Sequence, residues 1–244
     1  MRILVTNDDG IYSPGLKCLA AVAAKFGEVV VVAPDVEQSS MGHAITATRP
    51  LSYRKSPVDF DGIPAYKVNG TPADCVALGT HLWNTTDLVL SGINMGLNLG
   101  NGMWHSGTLA AAKQAVLLGV TGIALSMPYD NTPPEFDAIV PFVEKSLEMV
   151  LENKELTLAN INFPKQPRGM RWTRQSVRLY DGKIMPGTDP LGRKHYWFTV
   201  VPLEAAEEGT DRHAVENGYV SVTPLRLDLT NEAQLAKALK QQTV

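Results

Sequence analysis

Cysteine is almost missing from this sequence: among 244 residues only Cys18 and Cys75 occur. They form no CxxC pair and no Cys/His spacing suited to zinc, which argues against a disulfide framework or a structural zinc and fits a reducing compartment. Positive charge is not in excess either. The formal net charge is −3, so there is no broad basic footprint for duplex nucleic acid or for an anionic membrane. Long hydrophobic runs are also lacking. The longest are cut by Lys113 or by prolines, and Met1 to Asn7 leads straight into Asp8 and Asp9, which argues against a spanning helix and a secretory leader. A soluble cytoplasmic protein is expected. Several catalytic signatures are absent as well. The first strand-to-helix turn has no G-x-G-x-x-G and the chain no G-x-x-x-x-G-K-[ST]. There is no G-x-S-x-G elbow, and Asp8-Asp9 lacks the one-residue gap of phosphatases that use an aspartyl nucleophile.

What is present is the material of a globular α/β protein, with 44% hydrophobic and only 19% charged residues to build a core. Arg2 to Thr6 and Glu28 to Pro34 are apolar on successive residues, as strands buried on both faces are. Between them Leu16, Leu19, Ala20, Ala23 and Phe26 recur at helical spacing, with Ser13 as N-cap and Pro14 as first helical residue. The pattern repeats. Thr71-Pro72 opens a helix through Leu82 that leads to a strand at Asp87 to Ser91, and a helix from Thr108 to Leu118 precedes a strand at Gly122 to Ser126. After a break at Asn131-Thr-Pro-Pro, an amphipathic stretch runs from Phe136 to Leu151 and a strand from Leu158 to Phe163. The fold class expected is α/β, a mostly parallel sheet with helices on both faces. Beyond about residue 168 the texture changes. Arg171 to Tyr180, His195 to Val201 and Gly218 to Leu225 read as antiparallel strands, and Asn231 to Gln242 as a terminal helix with Leu235 and Leu239 on a thin apolar stripe. The division expected is a core over 1–168 and a strand-rich extension with its helix over 169–244.

Ligands of a parallel α/β sheet bind outside the carboxyl ends of its strands. The first strand ends in Asn7-Asp8-Asp9-Gly10, the second in Pro34-Asp35 and a polar loop with Ser39 and His43, and a later one in a Gly/Asn-rich loop from Gly92 to Gly102. Two adjacent carboxylates repel by about 4 kcal/mol at 4 Å and an effective dielectric of 20. Either Asp8-Asp9-Gly10 is a turn that caps the next helix, or a cation compensates the pair. In the second case Asp8, Asp9, the Ser39 hydroxyl and the Asn94 amide oxygen make an all-oxygen set for a hard divalent ion, Mg²⁺ or Mn²⁺. Ser106-Gly107-Thr108 enters a helix and is either an ordinary cap or a site where N–H groups and hydroxyls receive a phosphate. His43 and His105 are candidate proton donors.

Together, Arg2-Ile-Leu-Val-Thr-Asn-Asp-Asp-Gly10, Val32-Ala-Pro-Asp35, Asn69-Gly-Thr-Pro-Ala-Asp-Cys75, Ser91-Gly-Ile-Asn-Met-Gly-Leu-Asn-Leu-Gly100 and Ser106-Gly-Thr108 resemble the SurE family of metal-dependent nucleotidases. The resemblance implies a Rossmann-like core and one divalent ion per subunit on the positions matching Asp8, Asp9, Ser39 and Asn94. It implies hydrolysis of nucleoside monophosphates at 5′ and often 3′ positions, some members also cleaving short polyphosphate. On that reading Asp9 orients or deprotonates water and Asp8 holds the ion. Asn98, Ser106, Gly107 and Thr108 grip phosphate, with His43 beside them and Asn69 on the rim. Exchange of C-terminal elements between subunits, implied likewise, would give homodimers or tetramers of paired dimers. This chain departs from many relatives in carrying His105 where they have Tyr, and Lys113-Gln114 where they have an acidic residue. A nucleotide sensor without turnover, and an interaction protein acting through its tail, are the other classes these residues could serve. No aromatic pair or carboxamide within residues 1–125 is evidently placed to read a base, so loose base selection is expected.

Overall fold

The computed structural model describes residues 1–83, 85–130, 132, 134–177, 180–202 and 206–241. Asn131 and Pro133 of the expected break, residues 178 and 179 of the strand expected over 171–180, and Gln242 at the end of the expected terminal helix lie outside the described residues.

β1 (Arg2–Thr6) leads through α1 (Pro14–Ala23) to β2 (Glu28–Pro34), which lies parallel to β1 with Leu4 opposite Val30. β3 (Tyr53–Lys55) and β4 (Ala65–Val68) follow, β4 parallel to β2 and β3 antiparallel to β4 at the sheet edge. α2 (Pro72–Trp83) then carries the chain back across the sheet to β5 (Leu88–Met95), which pairs with the free side of β1. From there a 3₁₀ turn (Gly100–His105), α3 (Gly107–Leu117), β6 (Thr121–Met127), α4 (Val140–Glu152) and β7 (Leu158–Asn162) extend the sheet outward. The order β3-β4-β2-β1-β5-β6-β7 reverses direction between β1 and β5. Such a reversal leaves a crevice at the carboxyl ends of the two strands.

Alternation along β1 divides the core. Ile3 and Val5 point to one face, where they meet Leu16 and Leu19 of α1 and, further along the sheet, Val143 and Leu147 of α4 pack. Leu4 points to the other, with Cys75 and Val76 of α2 and Ala111 and Ala115 of α3. Helices therefore cover both faces, as expected. The small residues of α3 let it lie close: Ala110, Ala111, Ala112 and Ala115 have no exposed surface. α1 approaches closer still, since a Cβ on Gly15 would stand 2.1 Å from the Ile93 carbonyl oxygen.

The tail is rich in strands, as expected, and part of it extends the main sheet. β8 (Met170–Trp172) and β11 (Val220–Pro224) join the main sheet next to β7, and they pair with each other in parallel. Val220, Ser221, Val222 and Thr223 of β11 are all buried, as befits an internal strand, and Thr173 satisfies the hydroxyls of Ser221 (3.0 Å) and Thr223 (2.8 Å). No partner subunit is needed to cover this strand. β9 (Tyr180–Thr188) and β10 (Lys194–Pro202) form an antiparallel sheet of their own. Between β10 and β11 lies α5 (Asp211–Glu216), and α6 (Glu232–Gln241), which has no buried residue, follows β11. The short α5, the edge strand β3 and its neighbour β4 carry too few apolar residues to have been read from pattern. α4 begins four residues later than the amphipathic stretch, because Phe136 to Ile139 form a turn whose Phe136 carbonyl accepts the Ile139 and Val140 amides, each at 2.9 Å. Among the described residues no helix is long and apolar enough to cross a membrane.

Candidate active site

Asp8 and Asp9 stand where the chain leaves β1, at the reversal point. Asn7 fixes that exit: its side chain donates to the Gly10 carbonyl (3.0 Å) and accepts from the Gly10 amide (3.1 Å). The carbonyl of Asp8 accepts the Gln38 amide at 2.7 Å, which moors the loop after β2. Asp8 is 4% exposed, and its Oδ1 accepts the Thr108 hydroxyl at 2.8 Å. Asp9 accepts the Met95 amide on Oδ2 at 3.1 Å, so β5 holds the second carboxylate.

Gly107 allows α3 to reach this point. A Cβ there would lie 2.8 Å from the Asp8 Cβ, so any side chain would push the helix N-terminus off the carboxylate. The positive end of α3 and the Thr108 hydroxyl and amide favour a charged Asp8. Burial outweighs them and raises its pKa, with the Glu37 charge adding to the effect. Asp9 is raised to about 6 by burial first and by the Asp8 charge second, with the Met95 amide opposing. None of the ion pairs among the described residues includes either carboxylate. Two anions are thus held together in a poorly hydrated place with no protein cation, which costs free energy unless a proton or a metal ion is taken up.

The other expected ligands have oxygens to offer. Asn94 donates its Nδ2 to the Gly96 carbonyl at 2.6 Å, which leaves Oδ1 as the outward atom for a cation. The Ser39 hydroxyl donates to Glu37 at 2.6 Å and keeps lone pairs on its oxygen. Among the described residues no group of three or more His, Cys, Asp and Glu side chains could hold a metal. A mixed set of two carboxylates, a hydroxyl and an amide oxygen would suit a hard ion.

Asn98 is engaged beneath the site. Its Nδ2 donates to the hydroxyls of Thr108 (3.2 Å) and Ser126 (2.9 Å), so it orients the residue that orients Asp8. Its backbone is clamped by β7: the Asn162 Oδ1 accepts its amide at 2.8 Å, and the Asn160 and Asn162 side chains donate to its carbonyl. Ser126, Asn160 and Asn162 were missed by motif reading. Their signal was polar side chains near the carboxyl ends of strands otherwise apolar. Ser106 caps α3 by accepting the Leu109 amide at 3.0 Å. His43 pairs with Gln114 of α3 at 2.9 Å, and the neighbouring Gly42 amide donates to the His105 carbonyl at 3.0 Å, so the loop bearing Ser39 is docked on the entry to α3. Asn69 accepts the Ser52 amide at 2.8 Å, and Thr71 and Asp74 form a helix cap that also holds Thr46. Those residues shape loops around the site.

The tail reaches the site as well. Asp211 is fully buried. Its Oδ2 accepts the Gly100 amide (2.8 Å) and its Oδ1 the Ser176 amide (3.0 Å), tying α5 to the loop that carries Asn98.

These features define a class: doubly wound α/β proteins with an acidic, cation-demanding site at the reversal point of the sheet, under a helix N-terminus. The family model described as Survival protein SurE matches residues 3–182. The 5′-nucleotidase SurE 1 of Thermus thermophilus is 47% identical over 234 residues, covering 94% of this chain and 93% of its own. The 5′-nucleotidase SurE of Deinococcus radiodurans is 44% identical over 238 residues, covering 94% and 88%. The crystal structure of the SurE protein from Aquifex aeolicus superposes with a TM-score of 0.83 at 42% identity and 99% coverage of both chains. The chain belongs to the SurE family.

The raised carboxylates predict a pH-dependent strain. Because the folded pKa of Asp9 lies above its unfolded value, the chelator-treated protein should lose stability as pH rises from about 4 to about 6, by at most about 3 kcal/mol at 1.36 kcal/mol per unit. In urea unfolding with chelator present, Asp9→Asn should equal the wild type near pH 4 and exceed it by about that amount at pH 7. A difference that does not grow with pH would refute the strain.

Proposed function

We propose that the chain is a metal-dependent 5′-nucleotidase that splits nucleoside monophosphates into nucleoside and phosphate, with some action at 3′ positions. The observation that carries this reading is the pair of carboxylates, buried Asp8 and half-buried Asp9, with no ion pair to a protein cation among the described residues, at the N-terminus of α3. The names of the relatives point the same way. Asp8, Asp9, Ser39 and Asn94 would hold one Mg²⁺ or Mn²⁺. Bound there, the ion supplies the positive charge that lets a phosphate approach two aspartates and eases the loss of a proton from an attacking water.

The protein groups then divide the work. Asp9 keeps Oδ2 on the Met95 amide, so Oδ1 is the atom that takes the proton of the water as its oxygen bonds to phosphorus and the P–O ester bond breaks; the nucleoside oxygen leaves and is protonated from solvent, to which Asp9 returns the proton it took. Asp8, fixed by Thr108, holds charge rather than moving protons. Ser106 and the first amides of α3, at Gly107 and Thr108, face the incoming phosphate. Asn98 positions Thr108, and His43 lines the approach from the Ser39 loop.

Phosphate release from AMP should vanish on chelation and return with Mn²⁺ or Mg²⁺. Asp9→Asn should depress kcat by about 10²- to 10⁴-fold at saturating metal, whereas Asp8→Asn should raise the Mn²⁺ needed for half-maximal rate at least about tenfold. Full turnover by rigorously metal-free protein would contradict the reading, and equal defects cured alike by excess metal would contradict the division of roles.

The two free cysteines accord with a cytoplasmic location. For assembly we propose a homodimer, or a tetramer of paired dimers, in which parts of residues 169–244 pass between subunits beside the core over 1–168. The hairpin β9–β10 exposes Ile184, Tyr196, Trp197 and Phe198 at 60–68% each, and α6 has no buried residue. Such a patch is costly in a monomer. Light scattering at micromolar concentration should give at least twice the 26.5 kDa chain mass, and an active monomer would rule the exchange out.

A further inference from the structure

The groups named so far attend to the metal and the phosphate, and none of them faces a nucleoside. A cavity of about 540 Å³ opens beside them, lined among others by Met127, Tyr129, Asp130, Glu135, Lys165 and Gln166. Its place follows from the sheet. Met127, the last residue of β6, is the register partner of Met95, and its carbonyl accepts the Gly96 amide at 2.8 Å. Met95 is the residue whose amide holds Asp9. One strand spacing, about 4.8 Å, therefore separates the backbone that anchors Asp9 from the backbone that opens the cavity. A second cavity among the described residues, about 520 Å³ between Lys55 and Tyr66, sits where β4 begins, toward the opposite edge of the sheet.

The lining decides what can enter. Lys165 is paired with Asp130, which also accepts the Thr132 hydroxyl at 2.6 Å. With that cation matched and Glu135 beside it, the cavity offers no net positive charge for a second phosphate. It offers instead the Tyr129 ring, 50% exposed, and the Gln166 carboxamide. Among the described residues neither the Gln166 nor the Glu135 side chain is tied up in a hydrogen bond with protein. A ring face, a paired donor and acceptor, and a carboxylate are complementary to a base, its edge and a ribose hydroxyl.

We infer that this cavity is the nucleoside subsite: Tyr129 stacks on the base, Gln166 pairs with its edge, and Glu135 accepts a ribose hydroxyl. A carboxamide matches the adjacent amino donor and ring-nitrogen acceptor of adenine, so adenine nucleotides are the favoured class. A single ring stacks on any base, so others are accepted less well. The inference rests on the nucleotidase reading, and its test separates the two.

Adenosine, which has no phosphate, is titrated calorimetrically into Mn²⁺-loaded protein, and phosphate release is followed from AMP and from ribose 5-phosphate, which has no base. Wild type and Tyr129→Phe should bind adenosine, and Tyr129→Ala should bind it about 10- to 100-fold more weakly. The kcat/KM for AMP should fall by the same factor, through KM, while that for ribose 5-phosphate stays level. Gln166→Ala should narrow the preference for AMP over UMP. Unchanged adenosine binding in Tyr129→Ala, absence of adenosine binding by wild type, or equal loss on both substrates would overturn the subsite. If no variant releases phosphate but adenosine binding still depends on Tyr129, the nucleotidase reading fails and the subsite stands.

Discussion

Everything at the carboxyl edge of this sheet is arranged around two negative charges that the protein itself does not neutralise. Asp8 and Asp9 are neighbours on the chain, the first buried and the second half-buried, without a lysine or arginine partner among the ion pairs of the described residues. A fold selected for stability alone would not keep such a pair. It becomes economical once a divalent ion is added, since one ion offsets both charges and leaves room for an anionic ligand. Strain in the empty site and affinity for the ion are therefore two views of one interaction.

Holding those charges in place takes a larger part of the chain than the site suggests. The Thr108 hydroxyl fixes Asp8, Asn98 fixes Thr108, and Asn160 and Asn162 fix Asn98. These contacts link the exits of β1, β5 and β7 through the first turn of α3. Asp211 then ties the same loop to α5. The segment beyond residue 168 thus supports the site from behind through α5 and completes the main sheet through β8 and β11. Its hairpin and last helix, by contrast, present apolar surface outward.

How much of this was legible in the sequence depended on whether the signal was local. β1, α1, β2, α2, α3 and β7 announced themselves by apolar runs and by cap-plus-proline starts. Asp8-Asp9 and Ser106-Gly107-Thr108 were visible because a strand end or helix start marked each. What local pattern could not convey was pairing: Asp8 and Thr108 are 100 positions apart in the chain, and nothing local shows that the Asn98 amide donates to Thr108 and Ser126. In the tail the strands were legible but their placement was not. Val220 to Thr223 has the composition of any strand, and nothing in it says that the strand returns to β7 and lies parallel to β8. Tyr129 and Gln166 fell outside the motifs altogether, in loops that acquire meaning only from the strands they follow.

The most direct test of the central claim is a Mn²⁺ titration of the metal-free protein in weakly buffered solution, with free ion counted by electron paramagnetic resonance and released protons by pH-stat. With the Asp9 pKa at about 6, binding should saturate at one ion per chain and release a substantial fraction of a proton at pH 6, more than it releases at pH 8. Absence of stoichiometric binding, or binding at pH 6 that displaces no proton, would contradict the account.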